Sequence, residues 1–136
     1  MEINVCLKGE LNLVKILMDK PAPLISASSW VVLDRKSKSV IFGKLEKDRR
    51  EIASLTKIMT LYTVLKLLDT LGIDINSNVK IEESVRDVIG TTANLCPGDT
   101  LTINDLLYGL MLPSGNDAAH TLALHFGQLV LDSTSK

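Results

Sequence analysis

The sequence predicts an α+β chain, a β-hairpin near the N-terminus followed by a helical subdomain. Three observations carry this. Two short runs rich in Val, Ile and aromatic residues, Ser29 to Asp34 and Ser39 to Phe42, flank a polar turn, the pattern of a paired antiparallel unit. Ser54 to Leu71 forms one long apolar stretch of helical period closed by Gly72. Two further helical patterns, Asp105 to Leu112 and Asp117 to Leu129, are separated by Pro113.

The elements follow in order. Residues 1–20 form an N-terminal extension in which Leu11 to Met18 reads as a weak helix. The hairpin turn, Arg35 to Ser39, has no glycine, which loosens a tight reversal. In the long helix Met59, Thr63, Lys66 and Thr70 make a solvated edge. Lys57, Leu61, Val64 and Leu68 make a second stripe, apolar except for the lysine. Leu55, Ile58, Tyr62 and Leu65 fill much of the rest, so the helix reads as central and buried. Asp74 to Asn78 is a turn cluster, and Asn78 to Glu82 is a short strand or the start of a helical stretch. Thr102 with Asp105 is a capping-box variant opening the next helix.

Composition narrows the function classes. A chain of 136 residues, 46% hydrophobic, buries a substantial core. A net charge of −1 offers no footprint for nucleic acid, and no apolar run reaches transmembrane length. Cys6 and Cys96 are compatible with a disulfide or with two free thiols. His120 and His125 fall on the last helix, where Ser114 and Asp117 admit a Ser-His-Asp arrangement as a minor alternative.

The chemistry points elsewhere. The pattern S-x-x-K occurs three times, at Ser54, Ser77 and Ser133. Ser77 lies in the turn cluster and Ser133 in a polar tail. Only Ser54 opens a long helical pattern, with Lys57 one turn later at the head of an apolar stripe. Desolvation there works against the charged form of the lysine and makes a neutral amine accessible. Such an amine accepts the serine's proton as the hydroxyl attacks a carbonyl. The helix N-terminus adds partial positive charge near the developing oxyanion. The competing reading is an N-capping Ser54 and a snorkelling Lys57; on this motif alone it is favoured.

Ser114-Gly115-Asn116 changes that balance. It sits in the tight connection after Pro113, where a hydroxyl and an amide are held between two helices. Taken alone, it is an ordinary loop with Asn116 or Asp117 as N-cap.

Between them the two motifs carry a resemblance. Pro21-Ala22-Pro23, Ile25-Ser26-Ala27, Val31 to Asp34, Ala53 to Thr60, Pro97-Gly98-Asp99 and above all Asp105 to Ala119 resemble the serine-type D-alanyl-D-alanine carboxypeptidases, the low-molecular-mass penicillin-binding proteins. The resemblance spans residues 21 to about 130, so residues 21–136 are expected to form an incomplete domain of that family. It implies a partial serine β-lactamase/transpeptidase-like fold that lacks the later sheet strands. Ser54 would be the acylated nucleophile, Lys57 its general base and Ser114 a proton relay to the leaving D-alanine. Asn116 would hold the substrate's peptide amide. The implied partners are peptides ending in D-Ala-D-Ala and, as covalent inhibitors, β-lactams; no metal or cofactor is implied. Gly115 favours the carboxypeptidases over class A β-lactamases, whose second motif usually has Asp there.

The departures set further expectations. The family's third motif, K-T-G, is absent, and Ile52 stands where relatives often have proline. Without the substrate wall that K-T-G builds, residues 1–136 alone are expected to release little D-alanine, and the unpaired hairpin edge is expected to favour self-association. A non-catalytic binding relative and a β-lactamase or esterase are the alternatives. Relatives work outside the cytoplasmic membrane, whereas this N-terminus lacks a basic start and an apolar h-region, so the compartment stays open.

Overall fold

The computed structural model describes residues 24–135, and the expected weak helix at Leu11 to Met18 lies outside them. The chain divides into two units, residues 1–50 and 51–136, taken here one at a time.

In the first unit β1 (Trp30–Leu33) pairs antiparallel with β2 (Val40–Lys44). Trp30 faces Lys44 and Val32 faces Phe42, with an irregularity between Val32 and Leu33. The second strand runs two residues further than expected. The turn solves its lack of glycine with a carboxylate. Asp34 accepts the backbone N–H of Ser37 at 2.8 Å and of Lys36 at 3.3 Å, and the hydrogen bonds from Ser37 hold its carboxyl below the ordinary range. Lys38 takes the left-handed conformation, φ +60°, which glycine would adopt without steric cost.

In the second unit a single 3₁₀ turn, Ala53–Leu55, leads into α1 (Thr56–Leu71). Gly72 ends α1 at φ +65°, donating its N–H to Leu68 O, a left-handed helix stop. β3 (Asn78–Lys80) pairs antiparallel with β4 (Thr100–Thr102). The region after Asn78 is thus a strand, and its short partner was not legible as one. Ile81 prolongs the ladder by donating to Asp99 O and accepting from Gly98 N, each at 2.9 Å. Between the strands lie a 3₁₀ turn, Glu83–Asp87, and an irregular segment, 88–99. α2 (Ile103–Met111) and α3 (Asn116–Thr134) complete the unit.

The expected capping box is formed. Thr102 Oγ1 accepts the N–H of Asp105 at 3.0 Å, and the Asp105 carboxylate accepts the N–H of Thr102 at 3.3 Å. Thr102→Ala is expected to lower the unfolding free energy by about 1 kcal/mol, read from urea denaturation.

The core sits between α1, α2, α3 and the small sheet. Its largest fully buried side chains are Ile81, Ile103, Leu106, Leu110 and Leu122. α1 buries Lys57, Val64 and Leu68 along one stripe, with Leu61 and Leu67 packed partly against the core. Ile58, Met59 and Tyr62 are more than half exposed. The expectation of a helix buried all round is therefore corrected: its partners α2 and α3 meet the lysine-bearing stripe, and among the described residues of this unit nothing covers the opposite face. No helix among the described residues is long and apolar enough to cross a membrane.

Candidate active site

The 3₁₀ turn before α1 decides the fate of Ser54. Because α1 begins at Thr56 without any side-chain cap, the hydroxyl of Ser54 is not spent on helix N–H groups. It is exposed and lies 3.4 Å from Lys57 Nζ, so the N-cap reading does not hold. Lys57, in the first turn of α1, is only 8% exposed. Among the described residues no carboxylate lies within ion-pair distance of it.

Lys57 instead donates to Asn116 Oδ1 at 2.6 Å, a short bond across 59 residues of sequence. Asn116 is the first residue of α3, and its Nδ2 donates to Ile89 O at 2.7 Å. The 3.4 Å contact to Ser54 is long by comparison.

Ser114 is placed differently. Its backbone is left-handed, φ +58°, and its Oγ is buried without a hydrogen-bond partner. A non-glycine residue held there costs about 1–3 kcal/mol, and a buried orphan hydroxyl costs a comparable amount. Such strain collects at functional sites. Its hydroxyl does not hydrogen-bond Ser54, Lys57 or Asn116. Thus the structure brings three of the four expected residues into one hydrogen-bonded line and leaves the fourth beside them, unpaired.

Gly115 lies between them for a steric reason. Its φ of −62° suits any residue. A Cβ there would stand 2.6 Å from Asp117 Oδ1, 2.8 Å from Gly109 O and 2.9 Å from the Ala93 side chain.

The irregular segment 89–95, which sequence reasoning passed over, frames the site. Thr91 O accepts the N–H of Asn116 at 2.7 Å, and the Thr91 hydroxyl donates to Ser114 O. Asp117, 3% exposed, accepts the Thr92 hydroxyl at 2.6 Å and the N–H groups of Ala93 and Leu95 at 2.8 and 3.1 Å. These contacts span 22 to 25 residues, so no local pattern announces them; the one clue was an acidic residue in the first turn of a helix.

Burial pushes the Asp117 carboxyl up, but the bonds from Ala93, Thr92, Leu95 and Ala118 together outweigh it and hold the carboxyl below its ordinary value of 3.8. A depressed carboxyl stabilises the fold above that value and loses its contribution as pH falls through the lower, folded one. The stability difference between wild type and Asp117→Asn is therefore expected to be constant near neutrality and to shrink below about pH 4, followed by urea denaturation across pH.

The histidines take no part. His120 Nε2 lies 3.1 Å from Ser84 Oγ. His125 packs edge-on against Phe126, and burial holds it below the usual imidazole range. With the Asp117 carboxylate committed to segment 92–95, a Ser114-His-Asp117 arrangement does not form. Cys96 is exposed; its pairing with Cys6 lies outside the described residues. An apolar groove of about 590 Å³ between α1 and α3, lined by Val64, Leu67, Leu122 and Phe126 among others, contains none of the four site residues.

Comparison with known proteins bears on the family and the fold. The family model described as D-alanyl-D-alanine carboxypeptidase matches residues 17–128. The chain is 33% identical over 97 residues to D-alanyl-D-alanine carboxypeptidase DacF of Bacillus subtilis, covering 71% of this chain and 25% of that protein. It is 35% identical over 109 residues to the D-alanyl-D-alanine carboxypeptidase of Streptomyces sp. (strain K15), covering 77% and 36%. Among solved structures it is similar to D-alanyl-D-alanine carboxypeptidase DacD from Francisella tularensis, with a TM-score of 0.73 and 29% identity, covering 82% of this chain and 27% of that one. Penicillin binding protein 5 from Haemophilus influenzae gives a TM-score of 0.69 at 31% identity, covering 78% and 32%. The chain thus spans about a quarter to a third of the length of these relatives. With the expected fold present over the matched segment and the family model covering most of the chain, the chain belongs to the D-alanyl-D-alanine carboxypeptidase family.

Proposed function

We propose that this chain carries the acyl-transfer centre of a serine-type D-Ala-D-Ala carboxypeptidase, with Ser54 as nucleophile. The observation that carries the reading is the buried Lys57, without a carboxylate partner, in reach of an exposed, uncapped Ser54 hydroxyl. Ser54 Oγ bonds to the carbonyl carbon of the penultimate D-alanine while Lys57 takes its proton. The peptide C–N bond breaks, and the proton reaches the departing amine of the terminal D-alanine through Ser114, whose hydroxyl is otherwise unpartnered. Water then hydrolyses the ester. Asn116 Nδ2, one of whose hydrogens goes to Ile89 O, keeps a second for a substrate carbonyl. β-Lactams open onto the same serine and retain their leaving group. The crowding at Gly115 leaves no room for aspartate, which favours the carboxypeptidase over a β-lactamase of class A. Self-association through the hairpin belongs to the same proposal, supported by β1 and β2 pairing only with each other among the described residues.

The test compares substrates on the polypeptide isolated from its source at its natural length. D-Alanine release from a D-Ala-D-Ala peptide, blocked by penicillin, is expected. Turnover confined to short-chain esters or β-lactams would replace this reading with that of an esterase or β-lactamase.

A further inference from the structure

The Asn116 amide bridges two groups, and only one orientation suits both. Its oxygen faces Lys57 Nζ at 2.6 Å and its nitrogen faces Ile89 O at 2.7 Å. Turned over, it would set donor against donor and oxygen against oxygen. The Ile89 carbonyl therefore determines that Lys57 meets an acceptor. The approach is close: Gly90 has φ +102°, and a Cβ there would stand 2.5 Å from Asn116 Nδ2.

The Ile89 carbonyl belongs to a segment with no helix or strand to hold it. Thr91 ties it to Asn116 N–H and Ser114 O, and the stretch that follows is anchored by the Asp117 carboxylate, through the Thr92 hydroxyl and the N–H groups of Ala93 and Leu95. A negative charge is further favoured by its place in the first turn of α3. We propose that Asp117 is a positioning residue: by anchoring segment 92–95 it fixes the Ile89 carbonyl, hence the Asn116 amide, hence the direction of Lys57. Its catalytic consequence rests on the proposed roles of Ser54 and Lys57; its structural content does not.

The experiment follows hydrogen exchange of the Asn116 side-chain amide by NMR, relative to the backbone amides of Leu110 and Leu122. In Asp117→Asn the substituted amide turns a donor toward the donors of segment 92–95. Protection at Asn116 is expected to fall at least tenfold more than at the two core amides. Thr92→Val, which removes one anchor and keeps the charge, is expected to show a smaller loss of the same kind, and it decides the matter if Asp117→Asn does not fold. Equal losses at Asn116 and the core amides, or none, would make Asp117 merely structural and overturn the proposal. The second readout is the rate of labelling by a fluorescent penicillin at natural length, expected to fall at least tenfold in Asp117→Asn with Ser54 still the labelled residue. An unlabelled wild type would refute the acylation reading, while the exchange result would still judge the positioning.

Discussion

Ser54→Ala will abolish covalent labelling by a fluorescent penicillin, and Lys57→Ala will slow it by about a hundred- to ten-thousand-fold, the usual reach of general-base catalysis. Ser54 is exposed and caps nothing, so its loss is expected to change stability by less than about 0.5 kcal/mol. Lys57 is different. It is buried, and its removal leaves Asn116 Oδ1 without its donor, so its slowed reaction is read beside a denaturation curve. A Ser54→Ala protein labelled like wild type would mean that the nucleophile is elsewhere, with Ser114 the next hydroxyl to replace.

The second large effect is expected at Gly115. A single methyl group there meets the Gly109 carbonyl at 2.8 Å and the Ala93 side chain at 2.9 Å. The carbonyl is helix backbone, which cannot give way as the end of a flexible side chain would. Gly115→Ala is therefore expected to destabilise by about 1–3 kcal/mol and to cut penicillin labelling, because Ser114 and Asn116 flank the clash. Gly127 is the control. It lies inside α3 with nothing within 4 Å of its would-be Cβ, so Gly127→Ala is expected to stabilise by about 0.5–1 kcal/mol. Opposite signs in urea denaturation confirm the steric account; equal signs contradict it.

How much was legible in the sequence depended on the range of the interaction. The hairpin, the three helices, the Gly72 stop and the Thr102–Asp105 capping box rest on residues a few positions apart, where periodicity and cap chemistry suffice. The pairing of Ser54 with Lys57 was legible for the same reason, one turn of helix. That Lys57 and Asn116 share a site came from the family resemblance, since no local rule joins residues so far apart; their hydrogen bond was not foreseen. Segment 89–95 was illegible. Ile89 and Thr91 act through backbone carbonyls, which leave no signature in a residue name, and the partners of Gly90 and of the Thr91 hydroxyl lie more than twenty residues away. The exposed face of α1 was misjudged because hydrophobicity reports what a helix is able to bury, not what lies against it.

The account stands on Ser54 as the acylated atom, and the most direct measurement is the location of the adduct. After brief exposure to a penicillin, protease digestion and mass spectrometry of the polypeptide at its natural length are expected to find the added mass on the peptide containing Ser54, and none in Ser54→Ala. Added mass on the peptide containing Ser77 or on that containing Ser114, with Ser54 unmodified, would contradict it.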